Sequence, residues 1–219
     1  MSANKLPDTT PELDFDAWLA GGERTTHYVP LYTRFDIIAD IEELEKQRVP
    51  YEAPEEGDEA LGGETEPNAE LNAKIDELYE QIHASKREFR VSAITQEEHD
   101  AIKALVLEEL SPEIDAAAAK GREEARKTAD RMGIKAVNDI NGIVRVGANE
   151  KTLELITHEV TLRKVASATT TRFNGEWRPL NIDQVRALHK AVGDAQINML
   201  SEAALSASND VPEVTVPKS

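Results

Sequence analysis

Apolar residues in this chain recur mainly at spacings of three and four, the period of a single helix face. In the longest such run, 181–209, Val185, Leu188, Val192, Ala195 and Met199 share one stripe, and a second stripe of Ile197, Leu200 and Ala204 widens it. Asn181, followed three residues later by Gln184, forms a capping box with Asn in place of the usual Ser or Thr. The pattern predicts one capped helix, packed either on the body of this chain or on a partner.

Two further stripes, Ile37, Ile38, Ile41 and Leu44 in 35–48 and Leu71, Ile75, Leu78 and Ile82 in 70–84, predict an antiparallel helical hairpin. Between them, 49–68 is rich in Pro and Gly and carries seven acidic residues and no basic one, so it is expected to be a disordered linker. Period-two stretches flank the hairpin. Residues 25–32 read as an edge strand, because Pro30 cannot donate to a ladder, and 88–94 as the strand that pairs with it.

Thr95 and Glu98 make a second capping box, opening a helix through Ile102, Val106 and Leu110. Pro112 suits the first turn of the next, Ala-rich helix, 113–132, which ends at Gly133. The Asn141-Gly142 pair and the run 143–146 predict loop with a short strand over 134–147, before a helix at 149–165 that puts Leu153, Ile156 and Val160 on one face. Asn174-Gly175 between Phe173 and Trp177 signals a type I′ hairpin over 169–178. The expected fold class is mainly α with a small β component (α+β): a helical hairpin and further amphipathic helices, with one or two short strand pairs. The expected organisation is a flexible arm at 1–14, a strand and helical hairpin at 15–94 opened by a turn carrying Phe15, Trp18 and Leu19, a helical body at 95–209, and an extended tail at 210–219.

Aromatics make up only 5% of the 219 residues and charged residues 31%, which points to a modest aliphatic core. The net charge of −17 repels nucleic acid and anionic membranes. The one basic concentration, Lys120, Arg122, Arg126, Lys127 and Arg131, is interleaved with Glu at helical spacing and reads as an ion-laced solvent face. There is no Cys, no run of some 18 apolar residues that would span a membrane and no apolar signal segment, so a soluble cytoplasmic protein is expected.

Catalytic, cofactor-binding and metal-binding residues are expected to be absent. The five histidines, His27, His83, His99, His158 and His189, do not pair at metal-ligand spacing. His158-Glu159 begins the zinc-protease helix motif, but Val160, Thr161 and Leu162 follow and the second His is missing. The glycines at 142 and 147 fit neither the Walker nor the dinucleotide loop. The chain is therefore expected not to be an enzyme. The exposed candidates for partner contact are Val211, Val214 and Val216 in the tail.

Three blocks carry a family resemblance: DFDAWLAGGERTTHYVPLYTRFDIIADIEELEKQ, REFRVSAITQEEHDAIKAL and PLNIDQVRALHKAVGDAQINMLSEAALSASN. Together, over about half the chain, they resemble the tail assembly chaperones of long-tailed phages and prophages of actinobacteria. In that family an acidic Trp-bearing segment leads to a strand and a Glu-rich helix, and a helix like 181–209 comes near the end of the shorter product. The stretch 113–147 has no counterpart in the family. The resemblance implies a non-enzymatic helper in the host bacterial cytoplasm, with the tape measure protein and tail tube protein as partners, self-association as an option, and no place in the mature virion. A structural virion protein, such as a head-tail connector or minor tail protein, is the alternative.

Overall fold

The computed structural model describes residues 16, 22–50 and 67–209. The arm at 1–14, most of the aromatic turn, the bulk of the acidic linker and the tail with Val211, Val214 and Val216 lie outside the described residues. What is described is mainly helical, with six α-helices and one small antiparallel sheet.

The sheet has the order β1 (Thr26–Tyr32), β2 (Lys86–Ser92), β3 (Thr169–Phe173), β4 (Glu176–Pro179). Alternation along the strands decides its faces: Val29, Leu31, Phe89, Val91, Thr169 and Thr171 are buried on one side. The β3–β4 turn has positive φ at both central residues, 51° at Asn174 and 88° at Gly175, as a type I′ turn requires. β1 is one of the two edge strands, as Pro30 predicts.

Helices α5 (Val137–Ala168) and α6 (Ile182–Asn209) cover the buried face. Leu162, Val165 and Ala168 from the one and Val185, Ile197, Leu200 and Ala204 from the other close a single core with the strand residues. The α1 (Ile38–Lys46) and α2 (Ala69–Ala84) hairpin has its own core of Ile37, Ile41, Ile75 and Ile82, with Tyr32, Leu44 and Leu78 packed against it. Its open end is clasped by Asn68, whose side chain accepts from the Val49 N–H at 3.0 Å and donates to the Val49 carbonyl at 2.8 Å. Both capping boxes form. Thr95 starts α3 (Gln96–Glu109), with the Glu98 N–H donating to Thr95 Oγ1 and the Thr95 N–H to Glu98 Oε2. Asn181 and Gln184 exchange the equivalent pair at 2.8 and 2.9 Å. Pro112 sits in the first turn of α4 (Ser111–Arg131), and Gly133 follows that helix with φ of 69°.

Two expectations fail. The stretch 134–147 is not loop and strand: from Val137 onward it is the first part of α5, which runs 32 residues to Ala168. Small residues explain the outcome. Where α4 crosses α5, a Cβ on Gly121 would lie 2.2 Å from the Gly147 carbonyl oxygen, and one on Gly147 would lie 2.7 Å from Ala125 Cβ. The glycines let two helix backbones touch, and the buried Ala125, Ala129, Val144 and Ala148 line the same seam. That packing outweighs the local preference of an Asn-Gly pair and a β-branched run.

The second failure concerns 181–209, which is two helices joined at Gly193, where φ is 77° and ψ 176°. Only glycine occupies that region without strain. Beyond the break the buried stripe is Ile197, Leu200, Ala204 and Ala207, while Ala195 is exposed and Met199 is 45% exposed. The stripe expected to widen the face is the core stripe itself.

Candidate functional site

Val185, Leu188 and Val192 answer the question posed by the first half of α6: Val185 is fully buried, and the other two pack against the same core. Met199 behaves differently. It borders a shallow groove with Tyr28, Pro30, Glu202 and Ala203, between the second half of α6 and the edge strand β1.

Tyr28 also belongs to the outer face of the sheet. Register puts Arg90 opposite Tyr28, Thr170 opposite Arg90, and Trp177 opposite Arg172, so these residues alternate with the buried set and point away from the core. The Tyr28 and Trp177 rings approach to 5.9 Å between centroids, and the Arg172 guanidinium carbon stands 4.9 Å over the Trp177 ring. A cation over an indole face is held by the ring quadrupole. The outcome is a basic and aromatic patch on a strongly acidic chain, continuous through Tyr28 with the Met199 groove. Sequence reading places Trp177 only beside the Asn174-Gly175 turn and does not single out Tyr28. The available signal was parity, since Tyr28, Pro30 and Tyr32 alternate with the apolar Val29 and Leu31 on an edge strand.

Two of the five basic residues of α4, Lys120 and Lys127, pair with glutamates of the same helix, as expected of a solvent face. Lys127 Nζ lies 2.7 Å from Glu123 and Lys120 Nζ 3.9 Å from Glu124. The hydrogen bond between Glu123 and Lys127 lowers the carboxyl below its ordinary range and raises the ammonium above its own.

The histidines are not all scattered. His158 of α5 and His189 of α6, 31 residues apart in the chain, come together with ring centroids 5.0 Å apart, and Asp194 joins them. No spacing rule could have paired them.

Among the described residues no helix is long and apolar enough to cross a membrane. In comparisons with known proteins, no family profile, curated protein or solved structure matches the chain.

Proposed function

We propose that this chain is a non-enzymatic tail assembly chaperone of a long-tailed phage or prophage. In this reading it binds the tape measure protein and helps recruit tail tube subunits in the host bacterial cytoplasm, and is left out of the finished virion. One observation carries the reading: the blocks of resemblance, distant in sequence, fold against one another. β1 from the first block pairs along its whole length with β2 from the second. The third block, α6, is tied to both: Gln196 bonds the backbone of Tyr32, and Ser208 bonds the backbone of Ile94. The stretch without a counterpart, 113–147, supplies α4 and the start of α5, which pack chiefly on each other.

The physical properties suit the role. A tape measure protein exposes long apolar helical seams before tube subunits cover it. The outer patch and groove, with Tyr28, Trp177 and Met199, offer such seams aromatic and thioether contact, and the charge of −17 keeps the resulting complex dispersed.

The test is co-expression with a tape measure protein and a tail tube protein of an actinobacterial long-tailed phage. The chain is expected to co-purify with them and to raise their solubility, and Trp177→Ala combined with Met199→Asp to abolish both effects without loss of helicity. Failure of the parent chain to co-purify with either protein sinks the reading. Stoichiometric copies in purified particles, counted by mass spectrometry, transfer the assignment to a structural virion protein.

A further inference from the structure

His158, His189 and Asp194 meet where the middle of α5 faces the break in α6. The two rings are tilted at 56°, and His189 Nε2 lies 2.6 Å from Asp194 Oδ1. One ligand atom from each of the three residues falls within 4.8 Å of the other two. Asp194 follows His189 by five residues, a separation that turns side chains away from each other on an unbroken helix. The positive-φ backbone at Gly193 is what returns Asp194 to His189.

Two imidazoles and a carboxylate form a donor set suited to transition-metal dications of the zinc type, and three protein ligands leave a position for water. Ligand atoms around one tetrahedral ion stand about 3.3 Å apart, from bond lengths of about 2.0–2.2 Å. Rotation of partly exposed side chains brings the present cluster to that spacing, since the Asp194 side chain is 81% exposed and that of His189 24%. Glu154, one turn before His158 on α5, lines the same cavity; Lys151 now holds its carboxylate at 2.8 Å.

We propose that His158, His189 and Asp194 bind one divalent transition-metal ion, which pins α5 to both halves of α6 across the Gly193 break. The ion takes neutral imidazole nitrogens and an ionised carboxylate, so any proton on a ligating nitrogen leaves to solvent and the His189–Asp194 hydrogen bond gives way to coordination. No redox step is involved. The inference is independent of the assembly role.

The test is calorimetric titration of the untagged, chelator-stripped full chain with zinc chloride, with thermal unfolding in parallel. One equivalent is expected to bind with a Kd in the micromolar range or tighter and to raise Tm, because the ion binds the folded state. His158→Ala and His189→Ala should each weaken binding about a hundredfold and Asp194→Asn about tenfold, while His83→Ala, remote from the cluster, leaves it unchanged. Far-UV circular dichroism checks each fold; should His189→Ala unfold, the exposed His158 carries the test. The proposal is overturned if the parent shows no saturable uptake, or if His158→Ala binds zinc like the parent.

Discussion

Gln196 acts as a one-residue strand for Tyr32: its side-chain Nε2 donates to the Tyr32 carbonyl at 2.7 Å, and its Oε1 accepts from the Tyr32 N–H at 2.8 Å. The Thr25 carbonyl accepts from Ala93, so odd-numbered residues of β1 face β2 and even-numbered ones face the open edge. Of these, Pro30 has no N–H and Tyr32 is satisfied by Gln196, which blunts the edge against pairing with other chains. Gln196 itself is 5% exposed. Gln196→Ala leaves two backbone groups unpaired and should cost about 2–3 kcal/mol in urea unfolding. Gln196→Glu sets a carboxylate oxygen against the Tyr32 carbonyl, so its deficit should shrink as pH is lowered and the carboxyl regains a proton to donate.

The crossing of α4 and α5 allows a paired test on glycines. Gly121→Ala drives a methyl into the Gly147 carbonyl and should lower stability by about 3 kcal/mol or more, with overpacking as the cause. Gly142→Ala, in the same helix as Gly147, meets nothing within 4 Å and should raise stability by about 1 kcal/mol through helix propensity alone. Equal effects from the two changes would refute the account of the crossing.

At Gly193 space is open, but the backbone is not permissive. Gly193→Ala should cost about 1–3 kcal/mol, the strain of an L residue in that region. Hydrogen exchange should quicken at Tyr32 as well as around residue 193, because straightening α6 shifts Gln196.

Glu98 gives a pH signature. The Thr95 N–H first, then Arg24 at 2.8 Å, holds its carboxyl below the ordinary value of 4.5. Since the folded value is the lower one, this contribution is complete above pH 4.5 and is lost as pH falls through the folded value. Glu98→Gln should flatten the stability profile in that acid window and change its slope little at neutral pH.

The sequence revealed those features that short-range chemistry decides. Thr95 with Glu98, Asn181 with Gln184 and Asn174-Gly175 each specify a cap or turn within four residues, and all three form. Residues 134–147 misled because Asn141-Gly142 and Ile143–Val146 have turn and strand preferences of their own, whereas the partner that makes them helical, Gly121, lies on another helix. The break at Gly193 did leave a trace: the stripe of Val185, Leu188 and Val192 resumes one residue late at Ile197, Leu200 and Ala204. The approach of His158 to His189 left none, because it follows from how α5 and α6 pack.

The α4–α5 hairpin has a mechanical consequence. At its root Arg163 and Glu109 lie 2.6 Å apart, linking α5 to α3, and beyond them the Gly121–Gly147 seam removes side-chain play between the two rods. Met132 and Val137, 68% and 69% exposed, sit at the far end, about 35 Å from the root at 1.5 Å per residue. Such a hairpin has the form of a cantilever clamped at one end: a load placed on its tip acts on the clamp through a lever arm of that length.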